Sequence, residues 1–307
     1  MKDLKTSTSA VNELSLGDYF SEQVQRVDRS LNEWVPAETV DPSSIHRAMR
    51  YSLFAGGKRI RPILAIASAA AVTDSAEGIV NAAGTLELVH TYSLIHDDLP
   101  ALDNDDLRRG RPTCHKVFGD AMAILAGDAL LTLAFEVLSR LLSVDASRKI
   151  RLVEELSRAA GTVGGMIGGQ VNDLEGERKR PTAALLDSIH RAKTGALLRA
   201  SVRLGAIYAG AKEVEVAALS DYGEHIGLAF QIIDDVLDVE ESSESLGKTA
   251  GKDEQQQKIT FPAVYGLERS RTMAEQERQA AHTALDRFGS RALRLRQIAD
   301  FIVQRKV

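Results

Sequence analysis

The 307-residue chain carries 38 Lys+Arg against 43 Asp+Glu, a formal net charge of −5, and 44% of its residues are hydrophobic. That acidic balance argues against a general nucleic-acid binder, whose affinity rests largely on cationic side chains displacing counterions from phosphates. Length and composition are those of a globular protein with a sizeable core, and one domain over 1–307 is expected, residues 1–44 being its least defined part.

The opening residues, MKDLKTSTSA, are charged and no apolar run of signal-peptide length follows, so the chain reads as cytoplasmic. Only seven prolines occur, and 113–180 and 182–261 hold none. With 40 alanines this favours long helices, since proline is costly inside a helix and alanine is the best helix former. Apolar periodicity predicts helices over about 16–34, 43–55, 61–73 and 76–98, with Ser43 and Ser75 as N-caps. A central helix is marked by Met122, Leu125, Ala129, Leu133, Val137 and Leu141, spaced three or four apart. Helices over 146–175, 182–210, 213–238 and 290–305 follow, the second capped by Thr182. The longest charge-free run, Ala159–Asn172, is 14 residues with five glycines, short of the roughly 20 apolar residues a membrane-spanning helix needs. No run alternates as a strand would, so an all-α bundle of long helices is expected. Connectors rich in glycine and charge fall at about 103–112, 176–181 and 241–258. The single cysteine, Cys114, has no disulfide partner and no zinc-spaced neighbours, which suits a reducing compartment.

Chemistry concentrates in two acidic clusters. In HDDLPALDNDDLRRG (96–110), Asp97, Asp98, Asp103, Asp105 and Asp106 directly follow the apolar segment Leu86–Ile95, a costly way to end a buried helix without compensation. Hard oxygen donors without cysteine suit Mg²⁺, which takes a few carboxylates and keeps positions for substrate phosphates; a solvated helix end is the plainer alternative. The pattern recurs in FQIIDDVLD (230–238), where Asp234 and Asp238 are i and i+4 and share a helix face. A divalent cation would remove their repulsion, and two such clusters can converge across a bundle core. Cations supply the rest of a diphosphate site: Lys58, Arg59 and Arg61 beside Gly56 and Gly57, then Arg108 and Arg109, Lys193 with Thr194, and Lys248, Lys252 and Lys258. Gln170 and Asp173 share a helix face and can orient a cation or a water, while the neighbouring glycines also suit close helix packing. His90, seven residues before Asp97, shares its face two turns deeper.

Together these residues resemble the trans-polyprenyl diphosphate synthases, most closely those of the bacterial farnesyl type. The resemblance covers roughly 45–307 and is carried by FAGGKRIRP, the stretch from LELVHTYSLIHDDLPALDNDDLRRG to GDALL, GGQVNDLEGE, KTGALL, FQIIDDVLD, GKTAGKD, KITFPA and the ending IVQRK. DDxxD alone is weakly diagnostic, because terpene cyclases carry a similar motif; the ordered set is highly specific. The resemblance implies an isoprenoid-synthase bundle around a deep apolar cavity, usually a homodimer. It implies that Asp97, Asp98, Asp103, Asp234, Asp235 and Asp238 hold Mg²⁺, three ions when substrate is bound, bridged to an allylic diphosphate. Arg108, Lys193, Thr194, Gln231, Lys248 and Lys258 would contact that diphosphate, and Lys58, Arg61, His90 and Arg109 would hold isopentenyl diphosphate. Arg305 and Lys306 match a basic end that closes over the site.

The implied reaction condenses isopentenyl diphosphate with dimethylallyl and geranyl diphosphates to farnesyl diphosphate (C15) and diphosphate. Tyr92 and Ser93, five and four residues before Asp97, are placed to stop the growing tail, and an aromatic Tyr92 favours an early stop. The four residues between Asp98 and Asp103 are a spacing shared by enzymes of this family that make geranylgeranyl diphosphate, so C20 stays open. A noncatalytic subunit should have lost an aspartate motif or its lysines, and a terpene cyclase needs no GGKRIR or Arg109; this chain keeps them all.

Overall fold

The proline-poor, alanine-rich sequence forms helix along most of its length in the computed structural model, which describes residues 14–176, 179, 182–240 and 259–305. In chain order the helices are α1 (Leu16–Trp34), α2 (Ser43–Leu53), α3 (Ile60–Val72), α4 (Ile79–Asp97), α5 (Cys114–Phe118), α6 (Asp120–Ser139), α7 (Ala146–Ala160) and α8 (Met166–Gly176). There follow α9 (Ala183–His190), α10 (Ala196–Tyr208), α11 (Glu213–Glu240), α12 (Phe261–Tyr265), α13 (Leu267–Ala284) and α14 (Leu293–Gln304). Between α9 and α10 the helix widens into a π turn, Arg191–Gly195. Among the described residues the only strand pairing is a two-residue hairpin, Leu107–Arg108 against Arg111–Pro112.

Caps explain several starts. Ser15 accepts from the Asp18 N–H at 3.1 Å, Asp145 from Arg148 at 3.0 Å and Thr182 from Leu185 at 3.3 Å, each filling one of the orphan donors of a first turn. Two expected caps fall elsewhere: Ser43 is already inside α2, and α4 begins after Gly78 rather than after Ser75. The expected helix over 146–175 is split, because Gly161, Gly164 and Gly165 occupy the gap between α7 and α8. Helix α13 escapes apolar periodicity altogether: among its many charges only Ser270, Ala274 and Ala281 are buried.

Helices α3 and α4 are buried along most of their length. Helix α10 packs on α3, α4, α7 and α11; α6 covers α4 from the other side, and α13 covers α11. The Tyr222 hydroxyl, fully buried on α11, donates to the Leu295 carbonyl of α14 at 2.7 Å and ties the last helix to the bundle. By length and composition α6 is apolar enough to cross a membrane, although Asp128 and Glu136 interrupt its apolar run. Here α6 packs on α4 and α2, with Ala126, Leu130, Ala134 and Val137 buried.

Close packing also sets the site. A Cβ on Gly169 of α8 would stand 2.1 Å from the backbone nitrogen of Lys193, so only glycine lets α8 approach the π turn this closely. Gly169→Ala is expected to push α8 away and lower stability by about 1–3 kcal/mol, read as a reduced midpoint in urea unfolding.

Candidate active site

Helix α4 supplies the first half of the site. Glu87, His90, Leu94 and Asp97 recur at intervals of three, four and three, and so line one face. Past its end the backbone turns back on itself: the Asp103 N–H donates to the Asp97 carbonyl at 2.8 Å and the Asp105 N–H to the Asp98 carbonyl at 3.1 Å. Asn104 makes the turn with a left-handed φ of 50°. The four-residue spacer therefore brings Asp103 back beside Asp97. Burial pushes the Asp97 carboxyl up to about 6, with Lys193 pulling it down and the neighbouring Asp103 adding to the rise. Asp98 is 3% exposed and is held by Arg108, whose Nε donates to Oδ1 at 2.7 Å.

The cations come from two loops. Arg109, with a φ of 52°, reaches across to donate to the Gly56 carbonyl. It lies flat over Gly57, where a Cβ would stand 2.7 Å from Nη1; the second glycine of GGKRIR is the space Arg109 occupies. Burial, reinforced by Arg61 and Arg109, holds the His90 imidazole well below its ordinary pKa. His90 is thus a neutral donor among permanent cations.

The π turn and α11 close the other side. Lys193 Nζ pairs with Asp173 Oδ2 at 2.6 Å, so Asp173 orients a cationic side chain. Gln170, on the same face of α8, keeps its Oε1 buried with no partner. The Thr194 hydroxyl donates to Gln231 Oε1 at 2.7 Å, and Gln231 Nε2 donates to Asp235 Oδ1 at 2.8 Å. Asp235 Oδ2 accepts from the Phe261 N–H at 2.8 Å, and the residue is only 3% exposed. Asp234 is the outward member of the second motif. Arg305 donates to it and to the Phe230 carbonyl, its guanidinium stacked 4.0 Å over the Phe230 ring.

Six predicted residues, Arg61, His90, Arg108, Arg109, Thr194 and Asp234, line one cavity of about 320 Å³. Leu94, Leu107 and Phe230 line it too; being apolar, they carry no signal of chemistry in the sequence. Lys58 stays at the surface, 5.7 Å over the Phe301 ring. Asp238 is buried one turn beyond Asp234. Tyr92 and Ser93 do not line this cavity. Tyr92 is 5% exposed, its hydroxyl buried without a partner, and the Ser93 hydroxyl donates to the His90 carbonyl at 2.9 Å. Lys248, Lys252, Lys258 and Lys306 lie outside the described residues. A larger groove of about 620 Å³ opens on another face of the π turn, but it contains no residue of either aspartate motif, and its arginines pair with Asp187 and Glu224.

Among the described residues no group of three or more His, Cys, Asp or Glu side chains encloses a metal by itself. The donors present are hard carboxylates, and the Asp97–Asp103 repulsion is the kind a cation relieves. That set fits Mg²⁺ shared with substrate oxygens better than a metal caged wholly by protein.

An all-α bundle that gathers Arg61, Arg108 and Arg109 around one cavity with Asp234, and with Asp105 from the loop after the first aspartate motif, forms a site suited to diphosphates. Residues 42–296 match the family described as polyprenyl synthetase. The chain is 47% identical over 258 residues to a farnesyl diphosphate synthase of Geobacillus stearothermophilus, covering 83% of this chain and 86% of that one. It is 45% identical over 307 residues to a geranylgeranyl diphosphate synthase of Cyanophora paradoxa, covering 99% of each. The crystal structure of a FPP/GFPP synthase from Zymomonas mobilis superposes with a TM-score of 0.84 at 39% identity, over 96% of this chain and 99% of that one. The protein belongs to the polyprenyl synthetase family of trans-polyprenyl diphosphate synthases.

The perturbed carboxyl at Asp97 has a measurable consequence. Its pKa rises from 3.8 unfolded to about 6 folded, so its contribution favours the fold fully below the unfolded value and is lost as pH rises through the folded one. In EDTA, Asp97→Asn should exceed wild type in stability by about 3 kcal/mol at pH 7, and the difference should close as pH falls toward 4, measured by urea unfolding at each pH.

Proposed function

We propose that the protein condenses isopentenyl diphosphate with dimethylallyl and then geranyl diphosphate, releasing diphosphate and ending at farnesyl diphosphate. The observation that carries this reading is the shared cavity: Arg61, His90 and Arg109 reach it from α3, α4 and the hairpin, and Thr194 and Asp234 from the π turn and α11. Two anionic substrates are thereby anchored separately, which holds an alkene against an allylic carbon and replaces a bimolecular encounter by proximity.

In this reading Lys58, Arg61, His90 and Arg109 bind isopentenyl diphosphate, with His90 donating as a neutral imidazole. Arg108, Lys193, Thr194 and Gln231 contact the allylic diphosphate, and Lys248 and Lys258 complete its shell. Asp97, Asp103 and Asp234 are the carboxylates best placed to hold Mg²⁺; Asp98 and Asp235, braced by Arg108 and by Gln231 with Phe261, support them, and Asp238 lies deeper. Mg²⁺ bound there would neutralise charge developing on departing diphosphate. The cationic side chains stabilise the same charge, and Leu94 and Phe230 offer an apolar wall to the allylic cation as its bond to diphosphate breaks, the C1 bond to isopentenyl diphosphate forms and a proton leaves. Released diphosphate is the base this arrangement offers. A homodimer fits the exposed Ile124 and Leu125 of α6, and the cytoplasm fits the single thiol.

A C20 product is the second reading. The spacing of Asp98 and Asp103 leaves it open, and relatives of similar identity include a geranylgeranyl diphosphate synthase. The aromatic Tyr92, five residues before Asp97, favours the shorter chain by its place in the sequence, although it stands off the cavity described above.

Chromatography of products from purified protein with Mg²⁺, isopentenyl diphosphate and dimethylallyl diphosphate should show C15; a C20 product would select the second reading, and no extension would sink both. Asp97→Ala and Asp234→Ala should each cost about 10²-fold or more in kcat while circular dichroism stays unchanged. Tyr92→Ala should lengthen the product, and an unchanged distribution would remove Tyr92 from the floor.

A further inference from the structure

Arg59 stands in GGKRIR between Lys58 and Arg61, the two cations assigned to isopentenyl diphosphate, yet its side chain goes elsewhere. It is 3% exposed. Its Nε donates to Asp28 Oδ1 at 2.9 Å, Nη1 to Glu87 Oε1 at 2.7 Å and Nη2 to the Leu53 carbonyl at 2.7 Å. One guanidinium therefore joins α1, α4 and the end of α2 at the first turn of α3. Arg59 also holds a left-handed φ of 50°, a conformation disfavoured for any residue with a Cβ. Such strain persists only where the surroundings over-determine it.

Glu87 is the anion beneath this pocket. It is 2% exposed and sits three residues before His90 on the face of α4 that leads to Asp97. Arg61 and Arg109 lie in its field as well, which counters the effect of burial on both guanidinium groups. The Arg61 Nε is buried and has no protein acceptor, so that side chain relies on its backbone turn, on this field and on substrate for its placement.

We propose that Arg59, clamped by Glu87 and Asp28, is a positioning residue for the isopentenyl-diphosphate pocket: it fixes the turn from which Lys58 and Arg61 project, without touching substrate. The proposal rests on the substrate assignment made above. A clamp that merely joined helices would lower stability and affect both substrates alike, whereas a positioning clamp acts on one.

The test is steady-state kinetics on Arg59→Lys and Glu87→Gln, varying one substrate at a time. Lysine keeps the charge but cannot reach three acceptors in fixed directions. Each variant should raise KM for isopentenyl diphosphate by about tenfold or more, while KM for dimethylallyl diphosphate stays within about twofold. A parallel rise in both KM values, or no rise, overturns the clamp. If neither variant folds, Asp28→Asn serves, since the Asp28 side chain is 38% exposed; it should move the same KM in the same direction by a smaller factor, and an unmoved KM overturns the proposal. If wild-type protein forms no product, the substrate assignment fails separately. The clamp is then read by calorimetry with inorganic diphosphate in EDTA, where about tenfold weaker binding by the variants supports it and unchanged binding overturns it.

Discussion

The carboxylates that interrupt an otherwise apolar helix are the constraint to which the rest of this structure answers. Glu87 and Asp97 sit on α4 and Asp98 caps its end; most residues of this helix are buried, and an ion without a partner there costs several kcal/mol. Each is handled differently. Glu87 is matched by Arg59 and Asp98 by Arg108, both at hydrogen-bond distance. Asp97 lies in the fields of Lys193 and Arg108 but stands beside Asp103, and burial keeps its carboxyl raised. Pairing two and leaving one separates supporting carboxylates from the one available for chemistry.

Delivering those partners takes backbone irregularity. Arg59, Asn104 and Arg109 are the described non-glycine residues with positive φ, and all three lie in the loops that frame the cavity. The π turn at 191–195 adds a fourth departure, and it places Lys193 and Thr194 on Asp173 and Gln231. Regular helices carry the site; local strain aims it. The cost of that strain is met by long, well-packed helices such as α3 and α10, where almost every position is buried.

The second motif shows how adjacent aspartates divide their work. Asp235 faces inward, where Gln231 and the Phe261 N–H hold it, and so ties α12 to α11. Asp234 faces the cavity and meets Arg305 at the end of α14. Arg305 thus holds the outward aspartate of this motif from the end of the last helix. The resemblance assigns Asp234 and Asp235 alike to Mg²⁺; the rotation of about 100° between neighbouring helical residues gives them different surroundings.

Helix content, most helix positions and the two aspartate motifs were legible in the sequence because they follow from local rules: proline avoidance, apolar period and hard-donor chemistry. Helix α13 was not, since its burial depends on a few small residues facing α11, and neither was the break at 161–165, where glycines ended a run whose apolar pattern continued. The sequence by itself determined which residue types could bind diphosphate and magnesium, for that is a matter of charge and donor hardness. Only the tertiary structure decided which carboxylates are braced and which are open, that Glu87 and Asp28 serve the GGKRIR loop, and that Leu94, Leu107 and Phe230 wall the cavity. Those outcomes depend on contacts between helices distant in sequence and on desolvation, and neither is encoded in the local spacing of residues.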